Sequence, residues 1–247
     1  MENQTLSAIE FDFDEHDKRQ WSYYYFFIKN YMEMVSAGLH ELSYPFAGKT
    51  VYDIGVGRGR AFPIYRSLGI NSVIGFDVDE YWVSFARDKA KRMGIGLEVR
   101  LNHDNRAIAA VADESCDVVS IMYTLMCVPK EIKLGMIKEA KRMVKPGGLI
   151  IIMDVPKPSL MSLFNRLVRM PRTFSSVAEW KELMAPLALV SLKGSNHWYF
   201  FNAPMDILGR LFGQAPYRAL DWMAKKLGVT PSTALLVFKK EHASSHG

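Results

Sequence analysis

Short apolar runs alternate with helical patterns between residues 49 and 155. The apolar runs predict five strands: KTVYDI (49–54), NSVIGFD (71–77), LEVRLN (97–102), DVVSIM (117–122) and LIIIMDV (149–155). Strands that alternate with helices are typical of βαβ units, whose right-handed crossovers place helices on both faces of a parallel sheet. The pattern therefore predicts an α/β fold.

Helical spacing and chain breakers mark the segments around and after the fifth strand. Before it, helical spacing is shown by Ile132, Met136, Ile137, Ala140, Met143 and Val144. PGG at 146–148 is expected to stop this helix. VPKP breaks the chain after the strand, and LMSLFNRLVRM (160–170) predicts a basic amphipathic helix, interpreted as a cap on its own domain with contact to a membrane surface as the alternative. A strand near 187–193, a helix around 216–227 and a final strand at 232–240 complete the predicted elements.

Charge is spread unevenly along the 247 residues, whose net charge is +5 and whose isoelectric point is near 9.1. Residues 1–20 hold six acidic side chains against Lys18 and Arg19, whereas residues 130–172 hold ten basic side chains against three acidic ones. A basic stretch of this kind indicates either a nucleic-acid or anionic partner or ordinary solvated helix faces. We interpret most of these charges as solvated helix faces.

The sequence predicts a cytoplasmic protein without stable membrane insertion. No apolar run approaches the roughly 18 residues that a membrane span requires, and the first residues, MENQTLSAIEFDFDEHD, are acidic where a signal peptide would be basic. Cys116 and Cys127 lie among apolar residues without the spacing of metal ligands. We therefore expect two reduced core cysteines and no metal site.

The stretch VYDIGVGRGR (51–60) joins the first strand to a helix that has Pro63 in its first turn. Its glycines are Gly55, Gly57 and Gly59. They match neither the G-x-G-x-x-G pattern of dinucleotide-binding proteins nor a phosphate-binding loop, which ends in G-K-[ST]. Asp53 precedes the glycines, and Asp77 ends the next strand, 22 residues after Gly55. A carboxylate at that position can accept hydrogen bonds from both ribose hydroxyls of a nucleotide.

Five motifs in this order resemble those of the class I S-adenosylmethionine-dependent methyltransferases. They are VYDIGVGRGR, VIGFDVD, NHDNRA, ADESCDVVSIMY and KEAKRMVKPGGLIIIMD, and the resemblance covers residues 45–155. It implies a Rossmann-like, doubly wound sheet of seven mostly parallel strands with an antiparallel last strand, and S-adenosylmethionine as the cofactor. It also implies a methyltransferase domain over 46–247 with a cap insertion near 156–186, and an N-terminal helical aromatic lid over 1–45.

The resemblance assigns cofactor-binding roles by position. The residues concerned are Asp53, Gly55, Gly57, Gly59, Asp77, Val78, Asp104, Asn105 and Met122. Asp53 and the glycine backbone would hold the methionine part, and Asp77 the ribose. Val78 would pack on the adenine, whose amine would face Asp104 and the backbone near Asn105. Met122 and Tyr123 would line the exit of the methyl group.

Arg58 and Arg60 depart from the family pattern, because uncharged residues are common at these positions beside a cationic cofactor. We expect both side chains to point into solvent. The opposite arrangement, with both pointing inward, would indicate an anionic acceptor.

Aromatic residues are dense in the two segments that commonly form the acceptor pocket and lid in this family, WSYYYFFIKNY (21–31) and HWYFF (197–201). The catalytic candidates are Tyr23, Tyr24, Tyr123 and His197. They favour a small, largely apolar acceptor, in terpenoid or other secondary metabolism. The alternative for the first segment is an aromatic helix buried against the domain.

Two acceptor classes fit these segments. An isoprenoid methylated on an alkene carbon would pass through a carbocation that Tyr and Trp faces stabilise. A diphosphate on that acceptor would suit the basic side chains of Arg58, Arg60, Arg166, Arg169 and Arg172. A phenolic or polyketide-like hydroxyl acceptor would instead need a base, for which His197 and His103 are the candidates.

RNA or protein methylation is an alternative of another class, suggested by the basic stretch 130–172. The segment SIMYTLMCVP (120–129) lacks the Asn/Asp-Pro-Pro-Tyr-like motif common in enzymes that methylate nucleobase amines, so we do not expect a nucleic-acid partner. A non-catalytic cofactor-binding module is a third hypothesis, which the intact glycines and acids disfavour. We expect a monomer or a homodimer.

Overall fold

The fold is described from a computed structural model, which covers residues 25–103, 106–167, 172–196, 207–208, 211–213 and 215–242. These residues contain the strands β1 (Thr50–Ile54), β2 (Ser72–Asp77), β3 (Gly96–Leu101), β4 (Cys116–Met122), β5 (Val144–Asp154), β6 (Ala188–Ser195) and β7 (Thr233–Lys239). They form one sheet in the order β3-β2-β1-β4-β5-β7-β6. β1 to β5 are parallel, and β7 runs antiparallel to both β5 and β6. The predicted seven-stranded α/β sheet with an antiparallel last strand is confirmed.

Helices connect and flank the strands. In the described ranges they are α1 (Tyr25–His40), α2 (Phe62–Ser67), α3 (Glu80–Met93), α4 (Arg106–Ala109), α5 (Lys130–Met143), α6 (Leu160–Leu167), α7 (Val177–Met184) and α8 (Ala215–Lys226). The Asp79 side chain caps the start of α3 by accepting a hydrogen bond from the Tyr81 amide. At α7, Ser176 and Glu179 form a reciprocal capping box. Of the helices described, none is long and apolar enough to span a bilayer.

Two apolar layers cover the two faces of the sheet. Because successive side chains of a strand point to opposite faces, β5 gives Leu149 and Ile151 to one layer and Ile150 and Ile152 to the other. The first layer includes side chains of α1, α2 and α3, and the second includes side chains of α5 and α7. Because both faces of the sheet are packed, the carboxyl ends of the parallel strands are held in position along one edge of the sheet.

The turn from α5 to β5 differs from the prediction that PGG (146–148) stops the helix. The helix ends at Met143, and β5 already begins at Val144. Val144 is fully buried and pairs with Cys116 at the start of β4. Its extended backbone therefore ends the helix before the chain reaches PGG.

Cysteine burial was predicted correctly for Cys116 and wrongly for Cys127. Both thiols are free, but Cys127 is exposed. It closes the short helical turn Leu125–Cys127 after β4. Its thiol donates to the carbonyl oxygen of Tyr123 at 3.4 Å, and Nη1 of Arg172 donates to its sulfur at 2.8 Å. The apolar neighbours in sequence therefore do not surround it in space.

Candidate functional site

A cavity of about 270 Å³ lies at the carboxyl edge of the parallel strands. Its walls come from the loop after β1, the ends of β4 and β5, and single side chains of α1 and α3. The lining residues are Met32, Asp53, Gly55, Val56, Gly57, Arg58, Arg60, Ala61, Trp82, Met122, Tyr123, Thr124 and Met153. The structure thus brings together Asp53, Gly55, Gly57, Met122 and Tyr123 from the predicted site.

A side chain would find space at only one of the three glycines of this loop. At the other two, a neighbouring side chain already occupies that space. Gly55, Gly57 and Gly59 all have positive φ, at 83°, 48° and 68°. A Cβ at Gly55 would lie 2.1 Å from Oγ1 of Thr124, and one at Gly59 would lie 2.3 Å from the Phe62 ring. A Cβ at Gly57 would meet only the carbonyl oxygen of Gly55, at 3.9 Å. The backbone at Gly57 is therefore open to a ligand in the cavity.

Asp53 is the buried carboxylate of this cavity, with 3% of its surface exposed. The hydroxyl of Tyr65 lies 2.9 Å from Oδ2 of Asp53 and 2.7 Å from Oγ of Ser120. Burial raises the pKa of Asp53 to about 7, against the lowering effect of the Tyr65 hydrogen bond and with a further rise from the charge of Asp77. Among the residues that the structure describes, the side-chain hydrogen-bond partner of this carboxylate is the neutral hydroxyl of Tyr65.

Asp77 ties the glycine loop to the end of β2. Its Oδ2 accepts from the Gly57 amide at 2.7 Å, and its Oδ1 accepts from the amides of Val78 and Asp79 at 2.8 and 3.1 Å. A carboxylate has about four acceptor positions, so this arrangement leaves about one for a ligand hydroxyl. Val78, the predicted adenine-packing residue, follows Asp77 directly and is 55% exposed.

Tyr123 is held in an uncommon backbone conformation at the end of β4. Its φ is +55°, which is rare for a bulky residue and is often found at functional sites. Its amide donates to the carbonyl oxygen of Met153 at 2.8 Å, and its hydroxyl lies 2.6 Å from Oγ1 of Thr233 on β7. β5 and β7 therefore both fix the position of this ring in the cavity wall.

Arg58 does not point into solvent as expected. It is 5% exposed, and its guanidinium lies 5.2 Å from the ring centre of Trp82 and 4.6 Å from that of Phe85. The expectation was wrong because two rings of α3, invisible in the local sequence of the loop, receive the cation. Arg60 lines the same cavity and is partly exposed.

Several predicted site residues lie outside the described ranges. They are Tyr23, Tyr24, Asp104, Asn105, Arg169 and His197, and their roles stay predictions. Three further residues of the site were not predicted: Tyr65 bonds Asp53, Ser120 bonds Tyr65, and Thr124 packs against Gly55. Only Ser120 gives a signal, as a polar residue inside the apolar run DVVSIM. Among the residues described, no group of three or more His, Cys, Asp or Glu side chains could hold a metal ion.

Comparisons with known proteins agree with this geometry. Residues 52–152 match a family described as a methyltransferase domain. The chain is 31% identical over 174 residues to a ubiquinone biosynthesis O-methyltransferase of Ruegeria sp. (strain TM1040), covering 68% of this chain and 66% of the relative. It is 28% identical over 179 residues to a demethylmenaquinone methyltransferase of Oceanobacillus iheyensis, covering 72% of this chain and 61% of the relative. The chain thus spans less than two thirds of the length of either relative.

A solved structure shows the same fold. A SAM dependent methyltransferase from Archaeoglobus fulgidus superposes with a TM-score of 0.59 at 19% identity, over 88% of this chain and 100% of that chain. The strand order, the glycine loop and the acids at the ends of β1 and β2 define a nucleoside-binding α/β fold. The chain belongs to the class I S-adenosylmethionine-dependent methyltransferases.

The residues present fit the cofactor of this family, S-adenosylmethionine. That molecule carries a sulfonium and an ammonium, and the buried carboxylate of Asp53 lines the cavity with a pKa of about 7 in their absence. A cationic ligand beside Asp53 would favour the charged carboxylate. Gly57 leaves room for close approach, and Asp77 keeps an acceptor position for a ribose hydroxyl.

Proposed function

We propose that this protein transfers the methyl group of S-adenosylmethionine to a small, largely apolar acceptor at the carboxyl edge of the sheet. The observation that carries the proposal is the convergence of Asp53, the glycine loop and Tyr123 on one cavity. The remaining walls are mostly apolar, with Met32, Trp82 and Met153 among them. Such walls exclude water from the reacting atoms.

The chain's own contribution is positioning and electrostatics. When bound, S-adenosylmethionine supplies an electrophilic methyl group, and the carbon–sulfur bond breaks with its electron pair left on sulfur. Asp53 presents a negative charge to the cationic ligand, and Tyr123 presents a ring whose orientation is fixed by Met153 and Thr233. In-line transfer needs this near-attack geometry more than it needs covalent catalysis by the protein.

The names of the curated relatives support a quinone-like ring as the first acceptor candidate. One is a ubiquinone biosynthesis O-methyltransferase and the other a demethylmenaquinone methyltransferase. A phenolic hydroxyl must lose its proton during transfer, so O-methylation requires a base. His197 remains the predicted base, to be tested by mutation.

Methylation of an isoprenoid carbon is the second candidate. It is favoured by the basic side chains of Arg166 and Arg172, which line another cavity of the described structure and suit a diphosphate. The rings proposed to stabilise its carbocation, Tyr23 and Tyr24 among them, remain predictions.

The test is incubation with methyl-labelled S-adenosylmethionine and one acceptor class at a time. The classes are hydroxylated quinone precursors, polyketide-like phenols and prenyl diphosphates of several lengths, with bulk RNA and protein as further arms. We expect labelled small-molecule product and an equal amount of S-adenosylhomocysteine, and mass analysis locates the label on oxygen or carbon. Label in RNA or protein alone, or no S-adenosylhomocysteine with any acceptor, would contradict the proposal.

The substitution Asp53→Asn tests whether Asp53 contributes to cofactor binding, and Asp117→Asn is its matched control. Loss of the Asp53 charge should weaken S-adenosylmethionine binding by roughly tenfold to a hundredfold, the usual range for a charged contact. Asp117 lies near the start of β4, where it pairs with Lys49 and Lys145. Its substitution should leave cofactor affinity unchanged, because the start of β4 is at the opposite edge of the sheet.

A further inference from the structure

A second and larger cavity, of about 890 Å³, lies beyond the end of β5. It is bounded by α6 and the turn before it, by the segment Arg172–Ser176, and by Val229 and Thr230 just before β7. Its volume lies within the range of small-molecule sites.

Positive charge is concentrated on the wall of this cavity. Lys157, Arg166 and Arg172 line it, and none of the lining residues within the described ranges is a carboxylate. Lys157 pairs with Glu179 at 2.7 Å, so the excess charge comes from the two guanidiniums. α6 and α7 also begin at this wall, directly after Ser159 and Ser176, and add the positive ends of two helix dipoles.

The rest of the lining is largely apolar. Pro158, Leu163, Phe174 and Val229 contribute hydrocarbon or ring surface to the same cavity. Leu163 is 53% exposed, which leaves its side chain available to a ligand. A cavity with guanidiniums on one part of its wall and apolar surface on the rest suits a ligand that has an anionic group and an apolar body.

The wall of this cavity contacts the turn that follows β4. The hydroxyl of Thr173, between the lining residues Arg172 and Phe174, lies 3.0 Å from the carbonyl oxygens of both Leu125 and Val128. Leu125 comes directly after Tyr123 and Thr124, which line the cofactor-side cavity. The turn after β4 therefore adjoins the walls of both cavities.

We propose that the larger cavity binds the anionic group and the apolar body of the methyl acceptor, an amphiphile whose reacting atom extends to the cofactor-side cavity. Its phosphate or carboxylate oxygens pair with Arg166 and Arg172, and its apolar body lies against Leu163, Phe174 and Val229. The inference rests on the proposed methyltransferase function for its statement that the amphiphile is the acceptor. The anion preference of the cavity stands independently of that function.

Calorimetric titration of the full chain, saturated with S-adenosylhomocysteine, tests the anion preference. The probes are octyl phosphate, 1-octanol and inorganic phosphate, each below its aggregation concentration. Octyl phosphate should bind at least about tenfold more tightly than either of the other two, since charge-assisted contacts and apolar burial both contribute. Equal affinity for octyl phosphate and octanol, or for octyl phosphate and inorganic phosphate, would overturn the inference.

Variants locate the site. Arg166→Gln and Arg172→Gln should each reduce octyl phosphate affinity about tenfold, and the double variant should abolish the preference over octanol. Arg87→Gln is the matched control, because Arg87 pairs with Glu80 on α3 and lines neither cavity. A double variant that folds, binds S-adenosylhomocysteine normally and keeps the preference would place the anion elsewhere and overturn the assignment.

Inhibition kinetics separate this inference from the proposed function. With any acceptor that is turned over, octyl phosphate should compete with the acceptor and not with S-adenosylmethionine. Turnover without such competition overturns the inference and leaves the methyltransferase function intact. Failure of the chain to bind S-adenosylhomocysteine at all overturns the function, whatever the result with octyl phosphate.

Discussion

Two acidic side chains at the ends of parallel strands are buried deeply enough to change their acid strength. Burial raises the pKa of Asp53 on β1 and of Asp154 on β5 to about 7 in each case. Asp53 faces the cofactor-side cavity, whereas Oδ2 of Asp154 is buried and has no hydrogen-bond partner in the part of the chain that the structure describes. Because each buried carboxyl group holds its proton more tightly in the folded protein than in the unfolded chain, it lowers the stability of the fold as the pH approaches 7.

Substituting Asp53 by Asn should stabilise the unliganded protein in a pH-dependent way. The unfolded chain releases this proton near its ordinary pKa of 3.8, and the folded chain holds it up to about 7. Native stability due to this group is therefore present at low pH and is lost as the pH rises through this window. The difference in free energy of unfolding between variant and parent should grow from pH 4.5 to pH 7 and then level off, as urea denaturation would measure. A difference independent of pH would show that the folded pKa of Asp53 is not raised.

Gly57→Ala and Gly48→Ala separate backbone strain from ligand contact. Both glycines have positive φ and both would place a Cβ without a clash, so each substitution should destabilise the fold by about 1 to 2 kcal/mol. Only Gly57 lines the cofactor-side cavity. S-adenosylhomocysteine affinity should fall at least about tenfold in Gly57→Ala and stay unchanged in Gly48→Ala. Equal affinities in calorimetry would mean that the loop does not approach the ligand at Gly57.

The residues of the glycine loop could be predicted from sequence because their requirement is local. Glycine adopts positive φ without strain, so closely spaced glycines directly after a strand indicate a tight turn at that point of the chain. Tyr65, by contrast, meets Asp53 and Ser120 only because α2 returns over the ends of β1 and β4. Contacts of that kind depend on the packing of elements and leave no pattern at the residue itself.

At the scale of elements, a buried lysine connects α5 to the segment Arg172–Ser176 at the wall of the larger cavity. Nζ of Lys133 donates to Oγ of Ser175 at 2.8 Å and to the carbonyl oxygen of Thr173 at 3.3 Å. It also lies 4.4 Å from the centre of the Trp180 ring. Burial lowers the pKa of Lys133, and the negative charge of Asp154 opposes that change.

Lys133→Met should destabilise the protein by about 3 kcal/mol, the usual effect of leaving a buried charge without its partner. The double variant Lys133→Met with Asp154→Asn should recover part of this loss, because it removes the uncompensated carboxylate. Urea denaturation at pH 8 checks both values, since the parent carboxylate is charged there. If the double variant is no more stable than the single one, Asp154 is not the group that Lys133 compensates.

Most strand positions were predictable from apolar runs, with ends displaced by one or two residues. The exception is β5, predicted from 149 and observed from Val144. Its early start depends on pairing with Cys116, which no local pattern encodes. Lys133 was likewise indistinguishable from a solvated residue of an amphipathic helix, because its partners lie about forty positions away.

At the scale of the whole molecule, ligand binding should raise the free energy of unfolding of the folded protein. S-adenosylhomocysteine at a hundredfold excess over its dissociation constant should raise the free energy of unfolding by about 2.7 kcal/mol. Thermal denaturation with and without the ligand measures this, and adenosine at the same concentration is the control. A midpoint that does not move with S-adenosylhomocysteine would contradict cofactor binding by the folded chain.

The hydrogen bonds of Thr173 tie the wall of the larger cavity to the turn that follows Tyr123. A displacement of this turn by a ligand on one side therefore alters the wall on the other side. Thermodynamics requires any resulting change in the two affinities to be equal, whichever ligand is bound first. Titrations of the two ligands in either order should therefore give the same coupling factor.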